Sequence, residues 1–114
     1  MKQILLCAIS NIQNGNCPED CIYCAQSARY SSGASAYPFK DEKTVIAEAK
    51  AAKAAGAIGF CLVSAVVGLD DKKTEKFCRL GAAVKREVAG LFLIAGAGIS
   101  DATQLRELKR AGFD

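Results

Sequence analysis

The 114-residue sequence predicts an α/β fold built from repeating strand–helix units. Three observations carry that prediction. Short runs that are apolar along most of their length recur at Gln3 to Ile9, Ile58 to Ser64 and Leu91 to Ala95. The segments after residue 41 and between the later runs place apolar residues at helical spacing. Gly56, Gly90 and Gly112 each fall where a helical segment should close. Apolar strands separated by helices are the pattern of a parallel sheet, because a strand covered on both faces needs no polar alternation.

The elements follow in order. The run Gln3 to Ile9 is the first strand, and a long loop follows it to about residue 40. Within that loop Ser31, Ser32, Gly33, Ser35 and Pro38 mark exposed, irregular backbone. Asp41 is the expected N-cap of a helix through Ala55, with Val45, Ile46, Ala49 and Ala52 on its inner face and Gly56 as its stop. Ile58 to Ser64 is the second strand. The second helix begins at Asp70 or Asp71 and runs to Ala89, burying Phe77, Leu80, Val84 and Val88. Gly90 separates it from the third strand, Leu91 to Ala95. Asp101 with Gln104 has the form of a capping box, opening a helix whose apolar stripe is Leu105 and Leu108 and whose end is Gly112.

This order contains three βα units, whereas a closed eight-unit barrel takes about 250 residues. The expectation is a single partial domain over residues 1–114, the N-terminal part of a (βα)8 barrel. The first strand and its loop occupy 1–40 and the βα repeats 41–114, stopping before a fourth strand. A self-contained three-stranded unit is the alternative, and it leaves both sheet edges exposed.

Fifteen basic and twelve acidic residues give a net charge of +3, with no basic stripe interleaved with aromatics, which argues against a nucleic-acid partner. The longest apolar stretches, Ile4 to Ile9 and Ala57 to Val67, are too short to span a membrane. The N-terminal apolar run is also too short for a secretory signal and lacks a cleavage site. Six cysteines would suit a secreted disulfide scaffold. The missing export signal, the helix–strand patterning and the tight clustering of three of them indicate a cytoplasmic metal site instead.

That cluster is Cys17-Pro18-Glu19-Asp20-Cys21-Ile22-Tyr23-Cys24, in a chain with no histidine. Three thiolates on one short loop leave a fourth coordination position open, where substrate or cofactor can bind. Gly15, Asn16 and Pro18 keep the first cysteine in irregular backbone. Two other readings stay open on spacing alone. Cysteines at i, i+4 and i+7 share a helical face and could be small core residues, with Pro18 tolerated in the first turn. Zinc could also take these three thiols with a distant fourth.

Further cysteines lie on the predicted elements. Alternation along the second strand puts Gly59, Cys61 and Val63 on one side and Phe60 and Leu62 on the other. If the bulky pair packs on the helices, Cys61 points into the barrel. Cys7 in the first strand and Cys78 beside Phe77 read as packing residues. Gly96 and Gly98 either admit a cofactor at the C-terminal end of the third strand or are ordinary loop glycines.

The run Gly15-Asn16-Cys17-Pro18-Glu19-Asp20-Cys21-Ile22-Tyr23-Cys24-Ala25-Gln26-Ser27-Ala28-Arg29-Tyr30 resembles the biotin synthase family of radical S-adenosylmethionine enzymes, and so does Gly59-Phe60-Cys61-Leu62-Val63. The resemblance extends over essentially the whole chain. It implies a TIM-type barrel, complete or partial, and a [4Fe-4S] cluster on Cys17, Cys21 and Cys24. S-adenosylmethionine would bind the free iron, with Tyr23 beside its adenine. In that family an electron from the cluster splits the sulfonium, and the resulting 5′-deoxyadenosyl radical abstracts hydrogen from dethiobiotin so that sulfur can be inserted to give biotin. Cys61 corresponds to a ligand of a second cluster, [2Fe-2S], which is the sulfur donor. The family also implies a flavodoxin- or ferredoxin-type electron donor and a homodimer.

The sequence departs from the family in one place. A second thiol for the [2Fe-2S] cluster is expected near the end of the third strand, and Leu93-Ile94-Ala95-Gly96-Ala97-Gly98 offers none at Gly96 or Ala97. Its other ligands, a cysteine and an arginine, would lie beyond Asp114. The expectation is therefore a truncated biotin synthase homologue, inactive by itself. The alternatives are another radical S-adenosylmethionine enzyme of this branch that lacks the auxiliary cluster, or a non-catalytic metal-binding fragment.

Overall fold

The computed structural model describes residues 2–114. Three strands, β1 (Cys7–Gln13), β2 (Gly59–Ser64) and β3 (Phe92–Gly96), alternate with three helices, α1 (Glu42–Ala54), α2 (Asp71–Glu87) and α3 (Ala102–Ala111). The strands form one parallel sheet in the order β1-β2-β3. All three C-terminal strand ends therefore lie on the same side, and the loops leaving them are neighbours.

Local chemistry sets the helix ends. The side chains of Asp41, Asp70 and Asp101 accept from the backbone N–H of Thr44, Lys73 and Gln104, supplying partners that the first helical turn lacks. Hydrogen bonding from Thr44 and from Lys73 holds the Asp41 and Asp70 carboxyls below their ordinary pKa. Gln104 completes a reciprocal capping box, and Gly112 closes α3 in the left-handed conformation.

The core lies on one face of the sheet. Ile12, Phe60, Leu62 and Leu93 are fully buried there against Val45, Ala49, Phe77, Val84 and Leu108. Phe77 is at the centre, 6.1 Å from the Phe39 ring and 6.4 Å from that of Phe113. Strand alternation puts Cys7, Ile9, Cys61, Phe92 and Ile94 on the opposite face. That face has no helix over it among the described residues, and Ile9 is 69% and Phe92 56% exposed. Strands apolar on both faces are thus matched by helices on one face only.

Two expectations shift. The first strand runs from Cys7 to Gln13 rather than from Gln3 to Ile9, and Ile4, Leu5 and Leu6 are exposed. Polar residues that look unlike a strand interior are satisfied by side-chain partners. Ser10 donates to Glu48, Asn11 donates to Asn14, and Gln13 accepts from Ser64. Leu105, expected on the apolar stripe of α3, is exposed, whereas Leu108 is buried. No helix among the described residues is long and apolar enough to cross a membrane.

Candidate metal centre

Residues 14–41 form the loop between β1 and α1, leaving the sheet at its C-terminal end. Its base is closed by backbone pairing. Asn14 and Tyr37 exchange N–H···O bonds of 3.2 and 3.0 Å, and Lys40 N–H donates to Ile12. The Tyr37 hydroxyl donates to the Asn11 carbonyl at 2.7 Å. Lys40 also bridges to Glu48 on α1 at 2.7 Å, fixing the loop exit against the first helix.

Immediately after this closure the backbone turns through two left-handed residues, Gly15 (φ 77°) and Asn16 (φ 58°). A side chain at Gly15 would stand 2.9 Å from the Ala36 Cβ, so the close approach of the loop's two limbs requires glycine. The turn delivers Cys17 into a short two-strand pairing. Its N–H donates to the Gln26 carbonyl at 3.1 Å, and its own carbonyl accepts from Ala28 at 2.8 Å.

The segment Gln26 to Tyr30 then grips the residues around Cys17, one side chain after another. Gln26 accepts from the Gly15 N–H at 2.7 Å. The Ser27 hydroxyl donates to the Glu19 carbonyl, and Arg29 Nε donates to the Pro18 carbonyl at 3.1 Å. The Tyr30 hydroxyl donates to the Asp20 carboxylate, an acceptor that holds the phenol proton and raises its pKa. Glu19 and Asp20 thereby serve as anchor points for the loop. The sequence alone assigned no role to these braces. Their signal in the sequence is membership of the Gly15 to Tyr30 run that carries the family resemblance, with neither helical nor strand period to show what they hold.

The three thiols are not equivalent. Cys17 is buried, Cys24 half-buried and Cys21 exposed, and none is in a disulfide. Cys21 and Cys24 belong to a tight turn in which the Cys24 N–H donates to the Cys21 carbonyl at 3.0 Å. Tyr23, between them, is 89% exposed. Among the described residues no three His, Cys, Asp or Glu side chains converge on one point as a single ion requires. The irregular backbone from Gly15 to Cys24 also removes the reading in which these cysteines share one helical face.

As a donor set, three free thiols without histidine suit a thiophilic centre. A single zinc needs every sulfur about 2.3 Å from one atom, whereas a cubane takes each thiolate at a different iron corner.

Cys61 lies apart from this loop, in the middle of β2. Phe60 and Leu62 point into the helical core, so Cys61 faces the bare side between Ile9 and Ile94, its register partners. Burial first, and then the Cys7 thiol, raise its pKa. Gly96 is opposite Val63 on the same face. Cys7, read from sequence as a packing residue, is exposed on that face as well, because only the alternate residues of β1 meet the helices. Cys78 is half-buried against the core, as expected. Gly98 is accounted for by contact between loops. The Ile99 N–H donates to Val67 at 3.0 Å, and a side chain at Gly98 would lie 2.4 Å from the Val67 carbonyl oxygen.

These features define a class: α/β proteins that build their site from loops outside the C-terminal ends of parallel strands. Comparison with known proteins shows which particular proteins the chain resembles. The chain is 54% identical over 111 residues to the biotin synthase of Campylobacter lari and 52% identical over 111 residues to that of Campylobacter jejuni. It is 48% identical over 113 residues to the biotin synthase of Helicobacter pylori. These matches cover 97–99% of the chain, which spans 40% of the length of each relative. The chain is thus a homologue of the biotin synthases over almost all of its own residues. No family model matches it.

Proposed function

We propose that this chain is the cluster-binding N-terminal part of a biotin synthase-type radical S-adenosylmethionine enzyme, with Cys17, Cys21 and Cys24 holding a [4Fe-4S] cluster. The observation that carries the reading is the three-thiol loop at the C-terminal end of a parallel sheet, in a chain about half identical to biotin synthases. When bound, the cluster supplies an electron to S-adenosylmethionine at its open iron. The chain's own work is to hold that corner accessible: Cys17 as a buried, braced ligand, and Cys21 and Cys24 on a turn free to close around the cluster. Tyr23, exposed on the same turn, would meet the adenine.

The bare sheet face supports a place in a larger (βα)8 barrel, with 1–40 and 41–114 as its first strand-and-loop and its following βα repeats, and Asp114, whose N–H donates to the Leu93 carbonyl at 2.8 Å, already pairs with the outer edge of β3. Dethiobiotin as substrate, a flavodoxin- or ferredoxin-type electron donor, a homodimer and a cytoplasmic setting belong to this reading. Activity would need the rest of the barrel. Cys61 is the chain's ligand for an auxiliary [2Fe-2S] cluster. Gly96, which offers no thiol on the same face, favours a second reading: a radical S-adenosylmethionine enzyme of this branch without the auxiliary sulfur donor.

Anaerobic incubation of the chain with ferrous iron and sulfide tests the assignment. The expected result is about four irons per chain with the broad visible absorption of a thiolate-bound cluster, absent in Cys21→Ala. Zinc uptake without iron, or iron retained equally by Cys21→Ala, would overturn it.

A further inference from the structure

The bare face of the sheet carries two thiols in a relation that the loop does not explain. In the β1–β2 register Cys7 is opposite Gly59 and Ile9 is opposite Cys61, so the cysteines are diagonal neighbours on one face. The Cys7 side chain crosses the gap between strands. A Cβ built on Gly59 would lie 2.7 Å from the Cys7 Sγ, so that sulfur occupies the place a β2 side chain would fill. Any larger residue at 59 would expel it. The two sulfurs therefore lie over the same strand, two residues apart, flanked by Ile9, Phe92 and Ile94.

Strand geometry decides what such a pair can do. Strands about 4.8 Å apart with a rise of about 3.3 Å per residue put the two Cα atoms roughly 8 Å apart. A disulfide needs about 6.8 Å or less, so these cysteines do not bridge without backbone movement. Two thiolates on one metal atom, each about 2.3 Å from it, tolerate a wider Cα separation than a disulfide does, because the metal adds two bonds of that length between the sulfurs. The carboxylate that lines the same hollow, Asp114, is engaged by Lys85 at 2.7 Å and by the Leu93 N–H at 2.9 Å, which leaves the thiols as the free donors and suits a soft, thiophilic metal.

We propose that Cys7 and Cys61 form a two-thiolate site for a soft metal centre on the helix-free face of the sheet. The centre is either a thiophilic ion or one iron of an iron–sulfur unit. The inference deepens the assignment of Cys61 by giving it a partner, and it stands on sheet register, independently of the cluster loop.

The test uses the chain with Cys17, Cys21 and Cys24 all changed to Ser, titrated anaerobically with Cd(II) while the thiolate-to-cadmium ultraviolet band is followed. One equivalent should bind. Cys7→Ser or Cys61→Ser should each weaken binding at least tenfold, Gly59→Ala should weaken it similarly by displacing the Cys7 sulfur, and Cys78→Ser should leave it unchanged. Should the triple variant fail to fold, the loss of one cadmium equivalent in Cys7→Ser relative to the unaltered chain gives the same answer. Iron and sulfide in place of cadmium distinguish the source: a two-iron spectrum lost in Cys7→Ser assigns a cluster, and cadmium binding alone assigns an ion. Cadmium binding unaffected by Cys7→Ser would overturn the proposal. It would leave the loop assignment untouched, since those thiols are absent from the test.

Discussion

The two faces of β2 differ more than any other pair of surfaces in this molecule. Phe60 and Leu62 point into a core closed by three helices. Cys61, between them, points to a face that no helix covers among the described residues. One face supplies stability. The other, together with the loop above it, presents thiols: Cys7 and Cys61 on the sheet, and Cys17, Cys21 and Cys24 beyond the end of β1. Adjacent residues of a single strand are thus committed to different tasks, because alternation sends them to opposite sides at no cost to either.

If that division is real, substitutions on the two sides should have separable effects. The largest is expected in the three-cysteine loop. Cys21→Ala or Cys24→Ala should remove the roughly four irons of the loop cluster while leaving the urea midpoint essentially unchanged, because Cys21 is exposed and Cys24 only half-buried. Iron analysis and denaturation on the same samples check this.

On the covered face the pattern should reverse. Leu62→Ala should destabilise the fold by about 2–5 kcal/mol, as expected for a fully buried leucine, whereas Ile94→Ala on the bare face should cost under about 1 kcal/mol. Equal losses would erase the distinction between the faces.

A smaller effect sharpens the comparison inside the loop, between the braced Cys17 and the looser Cys21–Cys24 turn. Gln26→Ala removes the acceptor for the Gly15 N–H, worth about 1 kcal/mol, so exchange of that amide should speed up roughly fivefold. Gln26→Glu keeps an acceptor oxygen and should restore slow exchange. The Cys24 amide should not respond to either change.

The smallest effect is the response to acid. Asp41 and Asp70 have folded-state pKa values held below the ordinary 3.8 by hydrogen bonds at the helix starts. Their contribution is therefore complete above about pH 4 and is lost as the pH falls through the lowered values. Denaturation midpoints should decline below about pH 4. Asp41→Asn, which caps without titrating, should flatten that decline slightly.

Helix placement was largely legible in the sequence because caps and stops are local chemistry. Asp41, Asp70 and Asp101 begin the helices, and Gly112 ends one in the left-handed conformation. The start of β1 was not legible. Ile4 to Leu6 carry the stronger apolar signal, yet pairing begins at Cys7, and Ser10, Asn11 and Gln13 sit in the strand because residues up to 51 positions away satisfy them. The orientation of Cys61 followed from alternation once the bulky pair Phe60 and Leu62 was set against the helices. The exposure of Cys7 did not, since it depends on which face the helices cover. In the loop, cysteine spacing pointed to the three thiols but not to their unequal burial. That inequality comes from the grip of Gln26, Ser27, Arg29 and Tyr30 on residues 15–20, a long-range match with no periodic signature.

The central claim is that three loop thiolates hold an iron–sulfur cube with one iron left for an outside ligand. Electron paramagnetic resonance of the reduced, reconstituted chain, recorded before and after addition of S-adenosylmethionine, tests it most directly. The expected cluster signal changes shape on addition and is missing from Cys17→Ala, Cys21→Ala and Cys24→Ala. A signal indifferent to S-adenosylmethionine, or one that survives loss of any of these cysteines, would contradict it.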